Sequence, residues 1–233
     1  MSVPRPAVIA FDVLETLVPL DALEWRFREA GVPRVLMRRW SDHLLRDAFA
    51  LAAAGGLRTF RELALAALDD VTGHQVGRPA AEALVDAVAE LDPRPDAGEA
   101  LARARESGAR VIALDNAPEA VVLALLERTG LASEVEAVVS ADASGRWKPS
   151  AGIYLHAADR CDTDPARVAL VTAHGWDVHG ARRAGLSAAW SAHVESRFPS
   201  AFDPPDASGP DPVRTVEALL TCAEGAAPPA PGR

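Results

Sequence analysis

Short apolar runs alternate with amphipathic segments along most of the chain. The runs are too brief for helices and are typical of buried strands. They cover residues 8–11, 111–114, 135–139, 168–171 and 188–190. Helical patterns at residues 97–106, 119–128, 151–160 and 178–184 separate them. This alternation predicts an α/β fold of the Rossmann-like kind, a parallel sheet with helices on both faces.

Residues 20–91 break the alternation because they contain no convincing strand pattern. Four segments rich in Ala, Leu, Arg and Glu predict helices at 20–30, 34–53, 59–71 and 79–90. Proline disfavours helix near residue 19 and again at 93 and 95. We therefore expect an α/β core of residues 1–18 and 94–224, with an all-helical cap of residues 19–93 inserted after the first strand. The Gly/Ala/Pro-rich tail, 225–233, is expected to be disordered.

Composition narrows the classes of partner. Hydrophobic residues make up 49% of the chain and charged residues 24%, which is ordinary for a globular protein. The net charge of −9 gives no general attraction for nucleic acid or an anionic membrane. The sequence shows neither a membrane-length apolar run nor a signal-peptide pattern, so a cytoplasmic protein is expected. The apolar surface of the cap helices leaves a homodimer open.

Candidate chemistry follows the predicted strands, where ligands of parallel α/β sheets bind. Asp12 follows the first strand, and Thr16 lies four residues on, so a nucleophile and a hydrogen-bond donor can face one pocket. Asp115 and Asn116 follow the second strand and precede a helix. Backbone N–H groups there, together with the Asn116 amide, predict a site for an anionic group. Each pair alone also suits an ordinary turn or helix cap.

Two further loops complete the set. Lys148 precedes a helix, and beside carboxylates it would keep them ionised and neutralise charge on a substrate. Asp177 follows the fourth strand and could position or deprotonate a water, or hold a metal. His174 lies in the same loop, where a lone histidine is more often structural or solvated. No signal is specific alone, but their order at successive strand ends predicts a catalytic site.

On these residues the sequence resembles the haloacid-dehalogenase superfamily, and within it the L-2-haloacid dehalogenase type. The resemblance spans residues 8 to about 190 and includes a helical cap after the first strand. The residues that match its motifs are Asp12, Thr16, Asn116, Lys148, Tyr154, Trp176 and Asp177. The resemblance implies a haloacid-dehalogenase-like core, a small-molecule substrate and no cofactor.

The mechanism that the resemblance implies is covalent. Asp12 attacks carbon or phosphorus, and water then hydrolyses the ester or acyl phosphate. Lys148 would keep Asp12 ionised, while Thr16 and Asn116 orient the substrate. Asp177 would activate or position the water.

The departures from the family pattern limit the reaction and the substrate. Phosphatases of the superfamily carry a second aspartate two residues after the nucleophile, and Leu14 stands there. This favours attack on carbon, because halide leaves without a proton. The family's cap arginine becomes Ser41 when the sequences are aligned on Trp40, and its serine becomes Asp115. These two changes predict a neutral or cationic substrate in place of a simple 2-haloacid.

The substrate contacts are expected from Asn116, Asp115, Trp40, Ser41, Tyr154, His174 and Trp176. Two carboxylates at one pocket should raise the pKa of one of them. We therefore hypothesise that Asp115 is protonated near neutral pH and acts as a donor or general acid. Arg38 or Arg39 could replace the missing arginine only if the cap helix is rotated. Glu15 stands where the family has glycine, and a solvated or salt-bridged side chain is the favoured interpretation.

Two alternatives stay open. The first is a magnesium-dependent hydrolase of the phosphatase or phosphonatase type, in which Asp12, the Leu14 backbone carbonyl and Asp177 bind Mg²⁺. Asp115 would be an extra ligand in that case. The second is a catalytically silent binding protein that keeps the fold. Metal dependence separates the two hydrolases, and loss of activity in Asp12→Asn separates either from the silent protein.

Overall fold

Six parallel strands form one sheet in the computed structural model, which describes residues 4–224. The strands are β1 (Val8–Phe11), β2 (Arg110–Asp115), β3 (Ala137–Ser140), β4 (Val168–Thr172), β5 (Ser187–Ser191) and β6 (Ala207–Gly209). Their order across the sheet is β3-β2-β1-β4-β5-β6. The α/β class and the first five strands are therefore confirmed. The predicted disorder of residues 225–233 concerns residues outside the described part of the chain.

The register brings the ends of the central strands together. Phe11 of β1 pairs with Ala113 of β2 on one side and with Val171 of β4 on the other. β1 is completely buried, as expected for a strand with parallel neighbours on both sides. The Asp12 N–H donates to the Val171 carbonyl at 3.0 Å, which extends the ladder by one residue. Asp12 is thereby fixed at the carboxyl edge of the sheet.

Ten α-helices are described between residues 4 and 224. They are α1 (Leu23–Glu29), α2 (Leu36–Ala53), α3 (Phe60–Thr72), α4 (Arg78–Asp86), α5 (Ala97–Glu106), α6 (Glu119–Arg128), α7 (Ala141–Ser144), α8 (Ala151–Arg160), α9 (Gly175–Arg183) and α10 (Pro212–Glu224). The bounds of α5, α6 and α8 are those predicted from the sequence. Helix α9 begins three residues earlier than predicted. Trp176 and Asp177 therefore lie in its first turn and not in a loop.

Helix α10 and strand β6 were not predicted from the sequence. The signal for α10 was present, because Asp211 precedes a proline and its carboxylate accepts from the Arg214 N–H at 2.8 Å. Buried Val216 and Leu219 lie on one face of that helix. Strand β6 is only three residues long and contains serine and glycine, so its sequence carries no strand pattern.

Helices α1 to α4 lie between β1 and α5, where the helical insert was predicted. A capping box of Thr59 and Glu62 begins α3, and Gly73, with a φ of 64°, ends it. The two ends of the insert meet where the Arg94 N–H donates to the Leu17 carbonyl at 2.8 Å. The chain thus enters and leaves the cap at one place beside the sheet. The domain limits 19–93 stay a prediction.

The cap also contacts the core through a tryptophan next to Lys148. Trp147 is buried and donates from Nε1 to the Arg58 carbonyl of the cap at 3.0 Å. Its ring stacks on Phe60 with the ring centroids 6.4 Å apart. The cap is therefore anchored directly beside the candidate lysine. Within residues 4–224 no helix combines the length and the apolar character needed to cross a membrane.

We expect Gly180→Ala to destabilise the protein by roughly 1–3 kcal/mol through overpacking. A Cβ on Gly180 would lie 2.6 Å from the Pro149 Cβ and 2.7 Å from the Tyr154 hydroxyl oxygen. Urea unfolding monitored by circular dichroism measures the change. Gly98→Ala is the matched control, because its Cβ would meet only Leu131 Cδ2 at 3.4 Å and alanine favours helix. Equal unfolding midpoints for the two variants would contradict the expected overlap at Gly180.

Candidate active site

A buried row of three charged groups lies at the carboxyl edge of the sheet. Lys148 Nζ donates to Asp12 Oδ1 at 2.6 Å and to Asp177 Oδ2 at 2.8 Å, and all three side chains are almost fully buried. Burial raises the pKa of Asp12 to about 6, although Lys148 opposes that shift. Burial alone would lower the pKa of Lys148, but Asp12 and Asp177 together raise it above its ordinary value. The lysine therefore stays charged.

Hydroxyl groups fix the second oxygen of Asp12. Thr16 Oγ1 donates to Asp12 Oδ2 at 2.5 Å, and the same hydroxyl accepts from the Ala173 N–H at 2.9 Å. Because the backbone donor occupies a lone pair of the hydroxyl oxygen, the Thr16 proton is directed at Asp12. Thr172 Oγ1 lies 3.4 Å from the same carboxylate oxygen. The carboxylate of Asp12 is thus held in one orientation.

Tyr154 lies against the Asp177 end of this row. Tyr154 donates to Asp177 Oδ1 at 2.5 Å, while Asp177 Oδ2 accepts from Lys148. Burial raises the pKa of Tyr154 well above its usual value, and Asp177 adds to that rise, so the phenol keeps its proton. Both side chains are fully buried and neither lines the cavity described below. The hydroxyl of Tyr154 is therefore bonded to Asp177, and a substrate contact from Tyr154 stays a prediction.

Asp115 organises the loop that follows Asp12. Its Oδ2 accepts from the Val13 and Leu14 N–H groups at 3.0 and 2.8 Å, and its Oδ1 accepts from the Ala117 N–H at 2.7 Å. Both oxygens of Asp115 therefore accept from the backbone and hold the turn after β1 in place. A role of Asp115 as a donor or general acid stays a prediction.

Asn116 leaves one polar group free. Its Oδ1 accepts from the Lys148 N–H at 2.8 Å, which ties two strand ends together. Its Nδ2 is buried and has no hydrogen-bond partner among the described residues. A buried donor without a partner costs free energy, and an acceptor on a ligand would remove that cost.

A cavity of about 50 Å³ lies over Asp12, between the sheet edge and the cap. One water needs roughly 10–15 Å³, so this space fits a molecule of a few heavy atoms. Its apolar wall consists of Leu14, Leu20, Trp40, Leu44, Leu45, Phe60, Val88 and Trp176. Its polar wall consists of Asp12, Glu15, Ser41, Asp115, Asn116 and His174. Among the described residues, no lysine or arginine lines it.

Two of the cap residues that were expected at the substrate lie at the cavity. Trp40 and Ser41 both line the cavity. Trp40 is buried, and its Nε1 donates to the Ala64 carbonyl at 2.8 Å, so its polar group is bonded within the cap. Arg38 and Arg39 are exposed and do not line the cavity, and Arg38 instead pairs with Asp21 at 2.7 Å. The rotation of the cap helix that would bring one of these arginines to the pocket is therefore not observed.

His174 and Glu15 lie beside Asp12 in the cavity wall. The His174 ring stacks on Trp176 with the centroids 5.2 Å apart. Its Nε2 lies 3.7 Å from Asp12 Oδ2 and also 3.7 Å from Glu15 Oε2. Glu15 has a φ of 65°, the left-handed region that favours glycine. The sequence left the direction of Glu15 open, and the structure places its carboxylate in the cavity and not in open solvent.

Asp12 and Asp177 share a cationic side chain as their partner. The ammonium of Lys148 lies between them and donates to one oxygen of each, so a magnesium ion would have to bind the oxygens that the lysine leaves. Within residues 4–224, the grouping of side chains dense enough to hold a metal is instead His43, Asp47 and Asp70 in the cap. Arg46 already contacts both His43 and Asp47 there.

Comparison with known sequences gives one consistent family. The chain matches the profile of a family described as haloacid dehalogenase-like hydrolase over residues 6–185. It is 31% identical over 165 residues to the (S)-2-haloacid dehalogenase 4A of Burkholderia cepacia, covering 70% of this chain and 65% of that protein. The match therefore spans slightly less than two thirds of that relative. Identity to the (S)-2-haloacid dehalogenase of Xanthobacter autotrophicus is 29% over 193 residues, covering 80% of this chain and 75% of the relative.

Comparison with solved structures confirms the fold. The structure resembles that of the L-2-haloacid dehalogenase from Xanthobacter autotrophicus with chloropropionic acid covalently bound, with a TM-score of 0.83. The alignment covers 91% of this chain and 97% of the other at 22% sequence identity. At that identity the likeness shows the fold alone.

We expect Lys148→Met to lower the free energy of unfolding by roughly 3–5 kcal/mol, because it leaves two buried carboxylates without their partner. Urea denaturation at pH 7.5 measures this change. Arg214→Met is the matched control, since Arg214 pairs with Glu217 on the exposed surface, where the substitution should leave the midpoint close to wild type. A Lys148→Met midpoint equal to that of the control would contradict the structural role of the buried row.

Proposed function

The chain belongs to the haloacid dehalogenase-like hydrolase family, and on that premise we propose that Asp12 is a covalent nucleophile that displaces halide from carbon. The observation that carries the proposal is the buried row of Asp12, Lys148 and Asp177, with Leu14 in place of a second acid. The 2-haloacid dehalogenases among its relatives agree with this reaction class.

The proposed first step forms an ester on Asp12. A carboxylate oxygen of Asp12 attacks the carbon that carries the halogen, and the halide leaves with the bonding electron pair. Lys148 keeps Asp12 ionised, and Thr16 directs the carboxylate. Water then hydrolyses the ester, so one difficult displacement becomes two easier steps.

Phosphoryl transfer is supported less well by the same residues. A phosphate ester needs a proton on its leaving oxygen, and Leu14 cannot supply one. The Lys148 ammonium already donates to both carboxylates that would otherwise hold magnesium. We therefore propose a reaction without a metal cofactor. A catalytically silent protein is also supported less well. A buried lysine between two carboxylates is costly to desolvate, and one of these carboxylates, Asp12, lines the cavity. A homodimer stays a prediction.

The substrate that we propose is a small halogenated molecule without a carboxylate. Asp12, Glu15 and Asp115 place carboxylates in the cavity wall, and no described lysine or arginine lies there to balance an anion. A substrate carboxylate would therefore be repelled. The free Nδ2 of Asn116 offers a donor to a neutral carbonyl oxygen. The apolar wall suits the carbon chain of such a compound.

Halide release from 2-chloropropionate and from 2-chloropropionamide tests the proposal, because these compounds differ in charge but share the reacting carbon. We expect kcat/KM for the amide to exceed that for the acid by more than about tenfold, a difference of roughly 1.4 kcal/mol. Activity should survive EDTA and vanish in Asp12→Asn. Asp92→Asn, at an exposed aspartate, is the matched control. Magnesium-dependent phosphate release from p-nitrophenyl phosphate would contradict the reaction, and faster turnover of the acid would contradict the substrate charge.

The pH dependence follows from the ionisation of Asp12. Its pKa is raised to about 6 by burial, and only the ionised carboxylate attacks carbon. We therefore expect kcat/KM for 2-chloropropionamide to fall about tenfold per pH unit below pH 6 and to level off above it. The neutral amide is used because it does not itself titrate there. Full activity down to pH 4 would contradict the raised pKa.

A further inference from the structure

The hydrolysis of an ester on Asp12 needs a proton acceptor in the cavity. Asp177 is poorly placed for this task, because it is fully buried and outside the cavity wall. Its two oxygens already accept from Lys148 and Tyr154. Because neither oxygen lines the cavity wall, a water in the cavity does not contact this carboxylate. Asp177 positions Lys148, and the base must be sought among the residues that line the cavity.

His174 is the residue in the cavity wall that meets this need. Its Nε2 lies 3.7 Å from Asp12 Oδ2, too far for a direct hydrogen bond. Neither ring nitrogen takes part in a hydrogen bond within residues 4–224. The ring is nevertheless held in place, because it stacks on Trp176. The backbone N–H of His174 also donates to Thr172 Oγ1 at 3.2 Å. A free imidazole nitrogen is thus fixed beside the nucleophile.

The carboxylate of Glu15 lies beside the ring of His174. Glu15 holds a left-handed φ of 65°, where glycine would fit without cost. A non-glycine residue kept in that conformation near an active site is a sign of function. Its Oε2 lies 3.7 Å from His174 Nε2, and its side chain is largely buried. A carboxylate at that distance stabilises the charged form of an imidazole that has accepted a proton.

We propose that His174 is the general base for hydrolysis of the ester on Asp12, and that Glu15 stabilises its protonated form. This proposal rests on the proposed function, because it concerns the intermediate that Asp12 would form. It differs from the expectation that Asp177 deprotonates the water.

Water hydrolyses the ester by addition to its carbonyl carbon. The oxygen of a cavity water bonds to Cγ of Asp12, and one water proton passes to His174 Nε2. The bond between Cγ and the ester oxygen then breaks, and the leaving alkoxide takes the proton from His174. The product is an alcohol, and the Asp12 carboxylic acid returns to the carboxylate by losing its proton to solvent.

His174→Gln tests this step with 2-chloropropionamide as the probe. We expect rapid-quench experiments to show a burst of about one chloride per enzyme, because ester formation needs no base. Steady-state turnover should fall by about 10²–10⁴-fold. Intact-mass and peptide analysis should then find the substrate, less chloride, attached to Asp12. Glu15→Gln should trap the same adduct with a smaller loss of turnover.

Two controls make the outcomes distinct. His179→Gln changes a partly exposed histidine of helix α9 that pairs with Asp203, and it should turn over at the wild-type rate without an adduct. Asp12→Asn should give neither burst nor adduct. Turnover of the amide by Asp12→Asn at the wild-type rate would refute Asp12 as nucleophile, and the base assignment would fall with it.

Three results would overturn the assignment of His174 alone. Wild-type turnover without an adduct in His174→Gln would show that the imidazole is not needed. Loss of the burst together with turnover, in a variant with wild-type circular dichroism, would place His174 in the first step. An adduct that accumulates in Glu15→Gln but not in His174→Gln would make Glu15 the base.

Discussion

The buried ammonium of Lys148 between Asp12 and Asp177 is the interaction on which the rest of the site depends. Each of these charges alone would be costly to remove from water, and together they are stable only with good geometry and further hydrogen bonds. Thr16 and Tyr154 supply those bonds from either side. The parallel sheet is what makes the arrangement possible, because its register brings separate chain segments to one edge.

Much of this arrangement could be predicted from the sequence because the apolar runs are short and end at polar residues. The runs place Asp12 at a strand end, and the parallel sheet then brings Lys148 to it across a long sequence separation. Side-chain direction could not be predicted, since it depends on packing in three dimensions. Tyr154 was expected at the substrate but donates to Asp177, and Glu15, whose direction the sequence left open, lines the cavity.

Asp115 shows why the charge of a residue does not give its role. Its sequence position indicated a substrate contact or an acid, but three backbone N–H groups bind its oxygens. It shapes the loop after β1 while it still contributes negative charge to the cavity. The pocket therefore differs from an anion site in charge, although the framework that presents Asp12 is retained. One side chain thus affects both the shape of the loop after β1 and the charge of the cavity.

The hydrogen bond between the Arg94 N–H and the Leu17 carbonyl joins the two ends of the cap. Because the chain leaves the core and returns to it at neighbouring positions, the cap does not change the path of the core backbone. A segment of different length or shape can be spliced between those two positions while β1 and α5 keep their places. New substrate ranges can therefore arise by exchange of the insert, with the buried charges inherited unchanged.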